Sequence, residues 1–158
     1  RYRVRVCSTG QHREIVAQAF ASFGLAHDLD LALMLPGQTL FQSTSRILAA
    51  LESVFHSEQP HLALVQGDTN TTFAGALAAF YAKVPVAHIE AGLRTGNLHH
   101  PFPEEANRLL TARLADLHFA ATPLAAENLL REAVPSSAIH VTGNTGIDAL
   151  FLMRERMR

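Results

Sequence analysis

Two chemically versatile residue types are nearly missing: the sequence has one cysteine, Cys7, and one lysine, Lys83. A single cysteine excludes an internal disulfide framework and a cysteine-rich zinc site, and it fits a reducing compartment. There is no Gly-x-x-x-x-Gly-Lys-Ser/Thr segment, and Lys83 precedes neither Ser nor Thr, so a phosphate-binding P-loop is excluded. No Gly-x-Gly-x-x-Gly fingerprint follows any strand-like run. Charge of one sign is also lacking, since 13 Lys and Arg face 14 Asp and Glu for a formal net charge of −1. Such balance offers no electrostatic footprint for nucleic acid or an anionic membrane. Long apolar runs are absent, and the longest, Phe73 to Ala82, is about half of what a membrane span needs. Repeats, low-complexity tracts and a targeting segment are not visible either. The chain opens at Arg1 without Met and closes in a helical pattern, Ile147 to Arg158, that lacks a stop signal. Both ends read as cut rather than finished, and a longer start could carry a targeting segment.

What is present is an ordinary globular composition. The 158 residues are 48% hydrophobic and 17% charged, enough for one domain with its own core. Strand-like runs fall at Val4–Ser8, His61–Gln66, Val84–Glu90, Leu117–Ala121 and Ile139–Thr142, with Leu29–Leu35 ambiguous. Helix-like runs fall between them at Arg13–Phe23, Leu40–Ser57, Thr71–Ala82, Glu104–Ala115 and Ala125–Glu132. Alternation of this kind predicts βαβ units and a doubly wound parallel sheet, an α/β fold of Rossmann-like type. Pro60, Pro85 and Pro135 all lie between runs, and Gly24 follows the first helix at a C-cap position.

In open parallel sheets, ligands sit beyond the carboxyl ends of the strands, near helix N-termini that favour anions. Three strand ends here carry glycine with polar residues: Gly67-Asp68-Thr69, Glu90-Ala91-Gly92 and Gly143-Asn144-Thr145-Gly146. Asp68 before threonines fits a helix N-cap, and the last segment fits a plain strand-to-helix turn. Glu90 is harder to dismiss, because alternation puts it on one strand face with Val86 and His88. Pro101 to Glu105 reads as a helix start with carboxylates at the positive dipole end. Arg108 lies four residues after Glu104, so an intrahelical ion pair would account for both. The histidines do not spell a metal motif. His99 and His100 are adjacent, which does not put two ligands on one face, and His-Glu-x-x-His is absent. His88 and Glu90 match half of a zinc deaminase signature, but one cysteine cannot supply its Cys-x-x-Cys half.

Taken together, Gly67-Asp68-Thr69, His88 to Gly96, Pro103 to Arg108 and Thr142 to Thr145 resemble the non-hydrolysing UDP-N-acetylglucosamine 2-epimerase family. Gln11-His12-Arg13 after the first strand fits the same pattern, and the similarity runs through the whole chain in order. The resemblance implies two Rossmann-like domains in the GT-B arrangement, with an active site in the cleft between them. It makes residues 1–145 the N-terminal domain, lacking its first strand, and 146–158 the start of the helix connecting to a second domain. It also places a catalytic histidine and much of the nucleotide site in that second domain, so the fragment alone should be inactive.

By the same resemblance, Asp68, Glu90 and Glu104 are the acidic residues implicated in catalysis, with Asp68 and Glu90 also touching UDP-N-acetylglucosamine. Gln11, Glu14 and Glu104 fall where some members hold a second, regulatory substrate molecule, although the family's arginine there is replaced by Gly37. The implied activity interconverts UDP-N-acetylglucosamine and UDP-N-acetylmannosamine without metal or redox cofactor. The implied complete protein is a cytoplasmic homodimer serving polysaccharide synthesis, with no nucleic-acid or membrane partner. A hydrolysing relative that releases N-acetylmannosamine, a non-catalytic sugar-nucleotide-binding module and a GT-B glycosyltransferase remain open at this point.

Overall fold

The computed structural model describes residues 2–10 and 13–157. Strands and helices alternate along it: β1 (Cys7–Ser8), α1 (Arg13–Phe23), β2 (Leu29–Asp30), α2 (Leu40–Glu58), β3 (Ala63–Gln66), α3 (Asn70–Tyr81) and β4 (Val86–Ala91). The chain continues through α4 (Glu104–Leu114), β5 (Leu117–Ala120), α5 (Pro123–Arg131), β6 (Ile139–Val141) and α6 (Thr145–Arg156). Every pairing is parallel, as βαβ connections require.

The sheet is divided. Among the described residues, β1 pairs only with β2, while β3-β4-β5-β6 form a separate run. The first strand is also shorter than the pattern Val4–Ser8 predicts. Val6 accepts from the amides of Asp28 and Leu29, and the pairing runs on through the Leu31 amide to Ser8 and the Leu33 amide to Thr9, so the ladder lies from Val6 onward. Tyr2 and Val4 consequently lie exposed.

Capping chemistry fixes the helix starts. Thr39 and Gln42 form a reciprocal capping box on α2, and Gln59 closes that helix in a left-handed conformation. Thr122 caps α5 just ahead of Pro123, and Asn144 caps α6 through the Gly146 amide at 2.8 Å. The Gly143–Gly146 segment is therefore a strand-to-helix turn.

Much of the core is alanine. In α3, Ala74, Ala76, Ala78 and Ala79 are all buried, so this helix is covered on several sides, with α2 and α4 packed against it. Ile47 and Leu51 of α2 meet Ala74 and Ala78, and Ala76 and Ala79 meet Val86 of β4. A third cluster joins Ala91 of β4 and Ala120 of β5 to Ala112 of α4 and Ala125 and Leu129 of α5. Small side chains let helices and sheet approach closely, which fixes the strand ends where the carboxylates stand. Among the described residues, no helix is long and apolar enough to cross a membrane.

Candidate active site

The loop after β3 begins at Gly67 and turns into α3. Its N-cap is Thr69, whose hydroxyl accepts from the Thr72 amide at 3.2 Å. The capping role that the sequence suggests for Asp68 thus falls to its neighbour. The Asp68 carboxylate instead meets Arg108, with Oδ2 taking Nε at 2.8 Å and Nη2 at 2.7 Å. Asn107, itself buried, donates from Nδ2 to the Asp68 carbonyl at 2.8 Å.

Glu90 stands at the end of β4 and breaks the ladder. β4 pairs with β5 in register through Ile89, then resumes at Ala91, so Glu90 is the extra residue of a bulge. Its φ is +65°, in the left-handed region that a side chain bearing Cβ normally avoids. Val86 and His88 are buried as the strand pattern predicts, but the bulge rather than alternation decides where Glu90 points. A β-carbon placed on Gly67 would lie 3.5 Å from Glu90 Oε2, so the carboxylate rests against the residue that precedes Asp68.

The third carboxylate, Glu104, is the first residue of α4 and is partly exposed. The ion pair with Arg108 expected from their spacing is not formed. Arg108 turns instead to Glu105, with Nη1 donating to Oε2 at 2.8 Å, and to Asp68. Glu105 is 1% exposed, and its other oxygen accepts from the amides of Thr95 and Gly96 at 3.0 Å each. An unpaired carboxylate at this depth would cost several kcal/mol, and these three donors are its partners. The start of α4 thereby ties the loop after β3 to the loop after β4.

Two further pairs hold these loops. His88 is fully buried, and burial pushes its pKa down to about 4. The ring is neutral at pH 7, and Nε2–H donates to the Gly67 carbonyl at 2.7 Å, since a carbonyl can only accept. Arg94 makes a two-pronged contact with Glu132 at 2.7 and 2.8 Å, and the hydrogen bonds from Arg94 hold the Glu132 carboxyl below its usual range. Arg94 is thus committed to joining the β4 loop to the end of α5.

Asp68 and Glu90 therefore stand at the carboxyl ends of the adjacent strands β3 and β4, and Glu104 heads the helix docked on the loop after β3. Gln11 lies outside the described residues, as does the side chain of Glu14, while Gly37 has open space around it. The arrangement of the second, regulatory site stays an expectation. Sequence reasoning assigns no site role to Arg108, Glu105 or Asn107. Helical spacing carries no signal that separates the two acids, since Glu104 shares a stripe with the buried Asn107 and Thr111 as Glu105 does with Ala112. A depression of about 680 Å³ between α2 and α3, lined by Leu48, Phe55 and Tyr81, lies by the far end of α3, away from these carboxylates. Among the described residues, no group of three His, Cys, Asp or Glu side chains forms a metal centre.

Comparison with known proteins gives a consistent result. The family model for UDP-N-acetylglucosamine 2-epimerase matches residues 1–158. A UDP-N-acetylglucosamine 2-epimerase of Yersinia pestis is 53% identical over 156 residues, which is 99% of this chain and 42% of that protein. The enzyme of the same name from Salmonella typhimurium is 51% identical over 156 residues, with 99% and 42% covered. The crystal structure of UDP-GlcNAc 2-epimerase from Neisseria meningitidis bound to UDP-GlcNAc superposes with a TM-score of 0.93 at 51% identity. That match covers 97% of this chain and 41% of the other. The chain spans about two fifths of the length of these relatives and corresponds to their N-terminal portion.

Proposed function

The chain belongs to the UDP-N-acetylglucosamine 2-epimerase family, and on that premise we propose that the full-length protein interconverts UDP-N-acetylglucosamine and UDP-N-acetylmannosamine by eliminating and re-adding UDP. The observation that carries this reading is the placement of Asp68 and Glu90 at adjoining strand ends, with the Glu90 carboxylate against Gly67 and its backbone in a left-handed bulge. Support also comes from the Neisseria relative, whose structure contains UDP-GlcNAc.

The chemistry needs such a cluster. No carbonyl activates the hydrogen on sugar carbon 2, so direct deprotonation is unfavourable. Breaking the anomeric C–O bond first releases UDP and leaves an oxocarbenium ion, which nearby carboxylates stabilise. The hydrogen on carbon 2 is then acidic, and a carboxylate takes it as general base to give an unsaturated glycal. Protonation of carbon 2 from the opposite face and return of UDP to carbon 1 invert the centre. Two faces call for two positioned acid/base groups, and Asp68, Glu90 and Glu104 are the groups this domain contributes. Asp68 and Glu90 also contact the sugar. The steps balance without a redox partner. We further propose that the protein is a cytoplasmic homodimer when complete, and that a family strand seated between β1 and β3, whose facing edges are unpaired among the described residues, joins the two sheets.

Solvent exchange tests the mechanism. With the full-length protein in heavy water, UDP-N-acetylmannosamine formed from UDP-N-acetylglucosamine should carry deuterium at carbon 2, read by mass spectrometry or proton NMR. Asp68→Asn and Glu90→Gln should each slow incorporation and net reaction by roughly 100-fold or more. The 158-residue chain alone should show no turnover. Release of free N-acetylmannosamine would make the enzyme hydrolysing. Retention of the original hydrogen would rule out the exchange step, and full activity in both variants would remove the carboxylates from the mechanism.

A further inference from the structure

We propose that Glu105 is a positioning residue, which acts through Arg108 to set where the Asp68 carboxylate meets the sugar. The proposal rests on the epimerase reading and deepens it. Its basis is a continuous chain of contacts. Glu105 Oε1 is fixed by the amides of Thr95 and Gly96, and Oε2 takes Arg108 Nη1 at 2.8 Å. The remaining Arg108 donors, Nε and Nη2, both reach Asp68 Oδ2, at 2.8 and 2.7 Å. A guanidinium is a rigid planar fork, so anchoring one prong on Glu105 fixes the plane in which the others meet Asp68. Because both contacts fall on Oδ2, the other oxygen, Oδ1, lies outside the clamp and is the one left to face substrate.

The backbone of Asp68 is held as well, by Asn107 on its own carbonyl and by His88 on the carbonyl of Gly67. Main chain and carboxylate are therefore fixed from two different elements, α4 and β4. A purely stabilising ion pair would not need its acid buried to 1% exposure and tied to a second loop. Glu105 makes the position of Asp68 depend on the Thr95–Gly96 segment, which follows closely on the strand end that bears Glu90. The two proposed acid/base groups are thereby kept in one frame.

The test uses the full-length enzyme and kinetics normalised to the folded fraction measured by calorimetry. Glu105→Gln keeps an oxygen for the two amides but removes the charge facing Arg108. Arg108→Lys keeps a charge but loses the fork. Each should lower kcat by about 10- to 100-fold with KM changed less than about threefold, since a displacement of roughly 1 Å at a reacting group has effects of that order. The deciding measurement is a double-mutant cycle on residual turnover, followed by carbon-2 deuterium incorporation over long incubations. If Glu105 acts through Asp68, adding Glu105→Gln to Asp68→Asn should slow the reaction by less than about twofold further. Multiplying effects would overturn the positioning role, as would unchanged kcat in folded Glu105→Gln. Should Glu105→Gln fail to fold, the same cycle with Arg108→Lys decides between the two outcomes. Inactivity of the wild-type enzyme on UDP-N-acetylglucosamine would instead overturn the epimerase reading and the positioning role together, a result distinct from any variant outcome.

Discussion

Glu90 combines two features that a stability-driven sequence would separate, a charged side chain and a φ of +65°. Left-handed backbone costs a residue with Cβ about 1–2 kcal/mol, and glycine removes that cost. Among the described residues, the Glu90 side chain makes no hydrogen bond whose loss would offset the gain. Glu90→Gly in the full-length protein is therefore expected to leave stability unchanged or raise it by up to about 1 kcal/mol, while turnover falls by roughly 100-fold or more. Denaturant unfolding and steady-state kinetics on one preparation check both halves. A loss of stability beyond about 1 kcal/mol would show that the carboxylate supports the fold, and normal turnover would show that the strain serves no chemistry. The same scale separates the neighbours Glu104 and Glu105. One is the partly exposed first residue of α4, and the other is buried with three donors on it.

At the scale of elements, the junction of β4, α4 and α5 decides how the loops after β3 and β4 are held. Gly92 sits where the exit of β4 passes under α5, with φ +87° and its carbonyl taking Asn128 Nδ2 at 3.0 Å. A β-carbon there would collide with the backbone carbonyl of Ala125. Gly96, four residues on, also has positive φ, +76°, but open space where a side chain would go. The pair separates backbone strain from packing. Gly96→Ala should cost about 1 kcal/mol from conformation alone, and Gly92→Ala about 2–4 kcal/mol, because overpacking is added. Thermal unfolding of both variants checks the ratio, and equal losses would show that α5 yields to the added methyl group.

For the molecule as a whole, the buried histidines contribute to its response to acid. His88 and His118 are directly paired across β4 and β5, and burial lowers the pKa of both, that of His88 to about 4. In the unfolded chain an ordinary histidine takes its proton near 6.5. Between those values the unfolded state binds a proton that the folded state refuses, so stability falls as pH drops through the window. The His88 contribution is lost fully only below about pH 4 and is worth up to about 3 kcal/mol. His88→Gln, which can still donate to the Gly67 carbonyl, should flatten the decline seen in denaturant midpoints between pH 7 and 4.5. An identical slope in wild type and variant would assign the acid response to other groups.

Alternating runs, proline positions and glycine-bearing strand ends made the α/β class and the order of elements legible in the sequence, because each is a local property of a few consecutive residues, whereas Asp68, Glu90 and Glu104 became catalytic candidates together only through the family resemblance. The family motifs are likewise contiguous stretches, as at His88 to Gly96. Partner choice was not local. Asp68 could cap α3 or pair elsewhere, and Arg108 could reach Glu104 or Glu105. Only the docking of α4 against the β3 loop gave Arg108 to Asp68 and Glu105, and the cap to Thr69. The bulge at Glu90 arises from the register between β4 and β5, which no residue of β4 reveals alone. That β1 and β3 do not pair is likewise seen only in the structure, because hydrogen-bonded pairing is a relation between distant strands and is fixed only when they are brought side by side.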